Sequence, residues 1–288
     1  MTIAITGATG HLGRLVIRRL VERIPAAEIV ALARNPQRGE DLGVAVREFD
    51  YDRPDTLAPA LDGVDTLLLI SASEIGKRAR QHSNVVRAAR KSGVERIVYT
   101  SLLHADRSSI DLAGEHRTTE LEIEASGIPH VILRNGWYSE NYTSSIPGAL
   151  AGGAFLGCAN GARISLAARA DYADAAVAVL TGTDHDGKIY ELAGDQAYTL
   201  SDLATELSRQ TGRTIPYKDL SEAEYAAALE RAGVPAAMAR SIAGWDTAAA
   251  RGALFDDSHQ LSALIGRTTT PLAVSVEEAL HAEHVAHV

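Results

Sequence analysis

The sequence predicts an α/β protein built on a doubly wound parallel sheet, with a smaller, mainly helical lobe toward the C-terminus. Three observations carry this. Short segments rich in Val, Ile and Leu alternate with segments of helical period through the first half. Residues 65–71 (DTLLLIS) are apolar almost without interruption, the pattern of a strand covered on both faces. Residues 6–13 read TGATGHLG, a glycine-rich turn between the first strand and the first helix.

Residues 3–6 form the first strand, and Leu12, Leu15, Val16 and Leu20 recur behind the glycines at helical spacing. Residues 28–33 and 44–49 are the second and third strands. A short helix follows Asp52, with Pro54 near its start and Gly63 just past its end. Residues 65–71 are the fourth strand, 83–92 a helix closed by Gly93, and 96–101 (RIVYTS) the fifth strand. Residues 115–126 form a helix ended by Gly127, and 130–133 the sixth strand. Strands joined by helices pair in parallel, because parallel neighbours need a long crossover. Past Arg134 the rhythm changes. Short strands are expected at 163–166 and 188–192, separated by a helix that Asp171 caps. The last third is mainly helical, and Ser221 with Glu224 and Ser275 with Glu278 have capping-box spacing. Asp256 and Asp257 are read as a helix cap.

Composition narrows the class. The chain has 288 residues, 46% apolar and 23% charged, which suits a folded globular protein and not a disordered one. No run approaches the ~20 apolar residues that span a bilayer. The start, MTIAITGATG, lacks the basic region and apolar core of a signal peptide. Cys158, the single cysteine, rules out an internal disulfide, fits a reducing compartment and reads as a small core residue. The expected location is the cytoplasm. A net charge of −9 argues against a nucleic-acid surface. No membrane partner is expected either, and a homodimer is left open. His281, His284 and His287 lie three apart, but near a terminus and without other chelating groups, so no metal site is read there.

Gly7, Gly10 and Gly13 are spaced as a turn that must pass tightly from strand to helix and let a pyrophosphate reach main-chain N–H groups. The helix start then offers partial positive charge to the phosphates. These features point to a Rossmann-type NAD(P) core over residues 1–134. Residues 135–288 would hold the interleaved remainder of that core and a helical lobe that caps the substrate. A protein selecting NAD places an acid about 20 residues past the glycines; here the second strand ends Ala33-Arg34-Asn35, with no acid before Glu40. A guanidinium suits a 2′-phosphate, so Arg34 argues for NADPH. Asp50 could accept from the adenine amino group or cap the Pro54 helix. Ser71, Ala72 and Ser73 leave room for ribose and nicotinamide at the end of the fourth strand, and Lys77 lies just beyond on the surface.

Many short-chain reductases use Tyr-x-x-x-Lys as the proton donor and its activator. None of the nine tyrosines has Lys four residues on: Tyr99 meets Leu103, Tyr138 meets Tyr142, and Tyr172 meets Ala176. Where the pair would fall, the chain reads His116-Arg-Thr-Thr-Glu120. Hydride transfer to an electron-poor acceptor needs less help, because water can protonate its weakly basic product.

TGATGHLG, LLLISASEIG, YTSLLHAD, HRTTE, LRNGWYSENY and FDDSHQLSALIG together resemble the NmrA-like atypical short-chain dehydrogenases/reductases. Among these, the bacterial type 2 NADPH:quinone oxidoreductases are the nearest group and the triphenylmethane dye reductases a more distant one. The resemblance runs over nearly the whole chain, and SLLHAD (101–106) and RNGWYSENY (134–142) are its most specific pieces. It implies a two-electron reductase passing hydride from NADPH to a small-molecule quinone. By position it implies cofactor contacts at Gly7, Ala8, Thr9, Gly10, His11, Leu12, Arg34, Ser71, Ala72 and Ser73. It implies further ones at Asn135, Gly136, Trp137, Tyr138, Ser139 and Glu140. The stretch between Arg34 and Tyr51 is slightly shorter than the family's usual one, which bears on the adenine pocket.

Residues 135–142 follow the sixth strand and are expected at the same carboxyl edge as the cofactor. Asn135 and Asn141 can bond a carboxamide or a quinone oxygen, and Trp137, Tyr138 and Tyr142 can make a flat acceptor slot. His104 either polarises a quinone oxygen or is hydrogen-bonded within its loop. Two other functions stay open: a redox-sensing regulator that binds NADP(H) without turnover, and a dye or nitro-compound reductase of the same family. The aromatic slot favours an enzyme.

Overall fold

The structure, a computed structural model, describes the backbone of residues 1–286 and the side chains of residues 1–282. β1 (Ile3–Ile5) is buried throughout and runs into the glycine turn. Behind it α1 (His11–Leu20) turns Leu12, Val16, Ile17 and Leu20 inward. Then follow β2 (Ile29–Ala33), β3 (Ala45–Glu48), α2 (Pro54–Ala60), β4 (Thr66–Leu69) and α3 (Arg78–Lys91). β5 (Arg96–Leu102), α4 (Ala113–Ser126) and β6 (His130–Asn135) complete the first half. Gly127 closes α4 in the left-handed conformation, at φ 76°. α3 begins five residues before the expected 83, because its first inward residues, Arg78, Gln81 and His82, are polar yet buried. Apolar periodicity cannot see a polar face turned inward.

The chain continues through α5 (Ser139–Thr143), α6 (Ile146–Gly152), β7 (Phe155–Gly157), α7 (Arg169–Thr181) and β8 (Ile189–Leu192). It ends with α8 (Leu200–Thr211), β9 (Tyr217–Asp219), α9 (Glu222–Arg231), α10 (Ala236–Ala249), α11 (Gln260–Ile265) and α12 (Leu272–Ala286). No described helix is long and apolar enough to cross a membrane.

The main sheet has seven parallel strands in the order β3-β2-β1-β4-β5-β6-β8. Six of them are the expected ones, and the order reverses between β1 and β4, the switch point of doubly wound sheets. The seventh is the strand expected at 188–192, which pairs with β6 from Ile132↔Ile189 to Asn135↔Leu192. Ala4, Val30, Leu67, Leu69, Ile97, Tyr99 and Ile132 pack into one buried cluster with Leu57, Val85 and Ile123 from α2, α3 and α4. α7 packs against α1.

Several local expectations need correction. Residues 163–166 form no strand; Ile164 makes a single antiparallel bridge to Tyr198, with no neighbour to extend it. Asp171 lies inside the first turn of α7, fully buried, and not at the position before the helix. Ser275 sits within α12 and is buried. The capping boxes are Ser221–Glu224, as expected, and Thr199–Asp202. Asp256 receives the N–H and hydroxyl of Ser258, closing a turn, while His259 is the residue that precedes α11. Among the described residues no three His, Cys, Asp or Glu side chains gather to hold a metal. His281 is exposed on α12, whereas His287 and the side chain of His284 lie outside the described residues.

The chain divides into two compact units. The first comprises Met1–Asp106, Leu112–Asn135 and Arg169–Leu192, and so contains the whole seven-stranded sheet. The second comprises Arg107–Asp111, Gly136–Ala168 and the chain from Ala193 on, with the small parallel pair β7-β9.

Gly13 sets how closely α1 approaches the turn. A Cβ there would lie 2.4 Å from the Gly7 carbonyl oxygen and 2.8 Å from the Ala8 Cα, both main chain. At Gly10 the nearest atom is that same oxygen at 3.2 Å. Gly13→Ala should therefore lower stability by about 1–3 kcal/mol, the range of overpacked sites, and Gly10→Ala by less. Urea unfolding of the two variants checks the order; equal midpoints would mean the helix yields to a methyl group without strain.

Candidate active site

A crevice of about 590 Å³ opens in the first unit at the carboxyl ends of β1, β2, β3 and β4. Its floor is the glycine turn. Thr6 N–H donates to Leu68 and Gly10 N–H to Gly7, whose φ of +57° bends the chain back toward α1. Gly10 is the N-cap of α1 and offers no capping side chain, and the first turn holds no acid. The first N–H groups of the helix, with the positive end of its dipole, are thus left for an anion. Gly7, Thr9, Gly10, His11 and Leu12 line the crevice. Ala8 is buried instead, its N–H bonded to Leu32 O at 3.3 Å.

The opposite wall is the main chain just past β4, and side chains hold it. Thr6 Oγ1 accepts the Ile70 N–H (2.8 Å), Thr100 Oγ1 the Ser71 N–H (2.9 Å) and His82 Nε2 the Ala72 N–H (3.0 Å). Tyr51 donates its hydroxyl to Ile70 O (2.9 Å), and Arg78 Nε donates to Ala72 O (2.8 Å). Ser71, Ala72 and Ser73 all line the crevice. His82 must be neutral to accept, and its Nδ1 proton goes to Thr119 Oγ1 at 3.0 Å. Burial, with the Arg78 charge behind it, lowers its pKa to about 3.

One end of the crevice is basic. Arg34 is exposed there beside Arg38, a second cation that the sequence reading missed although it lies one helical turn on. Glu74 faces Arg34 at 3.2 Å and Lys77 at 2.9 Å, and Lys77 does not line the crevice. Asp50 also lines this end; its Oδ1 receives the Asp52 N–H, while Arg53 is the N-cap of α2. The size is that of a small-molecule site. An open helix start, a glycine turn and two guanidinium groups at one end fit a phosphorylated dinucleotide.

His104 lies beside Glu191 of β8. Its N–H donates to Glu191 Oε2 at 2.9 Å, and its Nδ1 lies 3.5 Å from the same oxygen. Glu191 belongs to a buried network around Arg134. That guanidinium holds Glu120 with two bonds (2.9 and 2.8 Å), and Asp106 and Glu191 at 2.8 Å each. Asn135, next in β6, is buried, and its carbonyl receives the Leu103 N–H.

The remaining expected residues stand in the second unit. Tyr138 and Glu140 are half-buried, Gly136 and Ser139 buried, and Asn141 exposed. Trp137 is 8% exposed and meets Trp245 edge-on at 5.4 Å. Trp245 in turn donates its indole N–H to Asp111 at 2.6 Å. The buried Tyr142 hydroxyl donates to Asp246 Oδ1 at 2.8 Å. The open three-ring slot needs correction: packing against α10 encloses Trp137 and Tyr142 and leaves Tyr138 and Asn141 accessible. Nothing in the sequence pattern pairs residues 137–142 with Trp245 and Asp246, a hundred positions away. Cys158, the residue just past β7, is buried against the same helix. Its thiol donates to Ala243 O at 3.3 Å, and burial, with Asp246 nearby, pushes its pKa up to about 12.

A family model described as NAD(P)H-binding matches residues 7–183. Quinone oxidoreductase 2 of Escherichia coli (strain K12) is 53% identical over 95% of this chain and 97% of its own. The NADPH complex of the E. coli NADPH-dependent quinone oxidoreductase superposes with a TM-score of 0.94 at 52% identity, covering 97% of this chain and 100% of that one. Triphenylmethane reductase of Citrobacter sp., in complex with NADP(H), follows with a TM-score of 0.93 at 37% identity, covering 96% and 100%.

The neutral His82 makes the crevice wall sensitive to acid. In the unfolded chain a histidine titrates near 6.5, and in the folded one His82 titrates near 3. Between these values the unfolded chain binds a proton that the folded chain refuses. The contribution is whole above about pH 6.5 and is lost progressively as pH falls. His82→Gln keeps an acceptor oxygen but does not titrate. Its stability should fall less steeply than the parent's between pH 6.5 and 5, by up to about one proton's worth of slope. Urea unfolding across that range checks it; parallel slopes would remove His82 from the account.

Proposed function

The chain belongs to the NAD(P)H-binding, NmrA-like reductase family, and from that membership we propose that it is an NADPH-dependent quinone reductase. It works without a Tyr-x-x-x-Lys pair. The observation that carries this reading is the crevice itself: a helix start free of capping side chains and acids, with Arg34 and Arg38 at one end. It occurs in a chain more than half identical to a quinone oxidoreductase over nearly its full length.

In this reading the turn from Gly7 to Leu12 and the start of α1 hold the pyrophosphate, and Arg34 with Arg38 holds the 2′-phosphate. Ser71, Ala72 and Ser73 border the ribose and nicotinamide half, together with Asn135. When bound, NADPH supplies a hydride. Tyr138 and Asn141 are the side chains we assign to the acceptor, Asn141 as a hydrogen-bond donor to its oxygen and Tyr138 as an orienting ring. Two other acid–base groups have protein partners: the His104 Nδ1 lies 3.5 Å from Glu191, and Tyr142 donates to Asp246, beside which burial raises its pKa. The reduced quinone therefore takes its protons from water. A net charge of −9 and one buried cysteine support a reducing, cytoplasmic setting without a nucleic-acid partner.

Steady-state oxidation of NADPH with and without benzoquinone tests the activity. Quinone-dependent oxidation is expected; tight NADPH binding with no oxidation would point to a sensor instead. Arg34→Asp should weaken NADPH binding about tenfold, the low end for a charge-assisted contact because the side chain is exposed, and leave NADH unchanged. Equal affinities for the two cofactors in the parent protein would refute the assignment of Arg34.

Tyr138 tests the proton source. With saturating NADPH and varied quinone, Tyr138→Phe should keep turnover within about tenfold, less than the ~10²–10⁴ of general-acid catalysis. Tyr138→Ala should cost more, because it removes the ring that orients the acceptor. A loss in Tyr138→Phe equal to that in Tyr138→Ala would make the hydroxyl a required acid.

A further inference from the structure

Arg14 is on α1, just past the last glycine of the turn, and each of its three guanidinium nitrogens meets a protein oxygen. Its Nε donates to the Thr9 carbonyl in the glycine turn at 3.3 Å. Its Nη2 donates to the Arg38 carbonyl and its Nη1 to Asp41 Oδ2, both at 2.6 Å. Arg38 and Asp41 belong to the short 3₁₀ helix Pro36–Leu42 between β2 and β3. Thr9 and Arg38 both line the crevice, whereas Arg14 does not. One side chain outside the crevice thus ties its glycine turn to its basic end.

The segment that carries Arg38 is held from two sides. On the inner side Gly39 and Leu42 are buried, and a Cβ at Gly39 would lie 3.2 Å from Val46 of β3. At its start, Asn35 Oδ1 accepts the Gln37 N–H at 3.1 Å. On the outer side Arg38 and Asp41 are exposed, and Arg14 is the anchor. Its guanidinium holds the Asp41 carboxyl below the usual carboxylate range. A 3₁₀ helix has poorer hydrogen bonds than an α-helix, so such an outside tie matters more to it. Bonding the carbonyl of residue 38 fixes where that residue stands, and so where its own guanidinium reaches. Arg34, the other cation at this end, is shared with Glu74 at 3.2 Å. Discrimination between a phosphate and a hydroxyl therefore leans on Arg38.

Resting on the NADPH reading above, we propose that Arg14 is a positioning residue for cofactor choice. It holds the Arg38 main chain at a fixed distance from the glycine turn, so that the Arg38 guanidinium meets the 2′-phosphate while the turn holds the pyrophosphate. A group held in place before the ligand arrives spares the ordering cost on binding. NADH has a hydroxyl where NADPH has the phosphate, so the effect of Arg14 falls on NADPH alone.

Fluorescence titration of the whole protein with NADPH and with NADH tests this. Arg14→Met keeps much of the stem and removes all three bonds. NADPH should weaken about threefold, the scale of an exposed charge-assisted contact, and NADH should not change. Asp41→Ala separates anchoring from charge. It takes a negative charge away from the phosphate end, which by electrostatics alone would tighten NADPH binding. Loss of the anchor weakens it, and weakening is the expected result. Arg38→Met should cost at least as much as Arg14→Met, and adding Arg14→Met to it should cost nothing more. An unchanged ratio of NADPH to NADH affinity in Arg14→Met would overturn the proposal, as a merely structural role would. So would NADPH binding in Asp41→Ala that is unchanged or tighter, or additive losses in the double variant. Equal affinities for the two cofactors in the parent protein would strike the reading of Arg34 and Arg38 itself, and this proposal with it.

Discussion

Five side chains hold three residues of main chain apart at the end of β4, and the crevice exists because they do. β4 pairs with β5 as far as Leu69↔Tyr99, while β5 runs on beside β6 to Leu102↔Asn135. On its other side β1 has already turned away at Gly7. The N–H and C=O groups of residues 70–72 thus lose their ladder partners where they are partly shielded from water. Thr6 and Thr100 stand in for strand carbonyls, and His82, Tyr51 and Arg78 take the rest. A sheet that opens at its switch point must satisfy its torn edges, and here polar residues of β5, α3 and the loops satisfy them.

The segments most typical of the family maintain the frame. Arg134 of RNGWYSENY binds Glu120, Asp106 and Glu191, joining α4, the end of SLLHAD and β8 around one guanidinium. The HRTTE stretch of α4, where other short-chain reductases carry their Tyr–Lys pair, is spent on the interior: His116 bonds Tyr99, Thr119 bonds His82, and Glu120 bonds Arg134. A proton relay cannot occupy a helix face whose polar groups are already matched to the sheet.

Much of this was legible in the sequence. Six strands and the crossover helices follow from apolar rhythm, and the glycine turn, Arg34 and Ser71–Ser73 all stand at one crevice. Burial signals that run against residue type were not legible. Arg78, Gln81 and His82 look like a solvent face and are an inner one. Trp137 and Tyr142 look like an open slot and are packed against α10, because their partners, Trp245 and Asp246, are remote in sequence. Ser275–Glu278 has the spacing of a capping box, yet α12 begins earlier and buries the serine. Local spacing reports what a segment can do alone; these are the places where tertiary partners decide.

The lone sulfhydryl bears on the proposed encounter with quinones. A quinone ring accepts hydride, but it also accepts a thiolate, by conjugate addition that leaves the protein arylated. Cys158 is 7% exposed, bonded to the Ala243 carbonyl, and held in its protonated form far above neutral pH. The nucleophile that such an electrophile would seek is therefore both out of reach and unreactive. What shields the thiol is the packing of the residue just past β7 against α10.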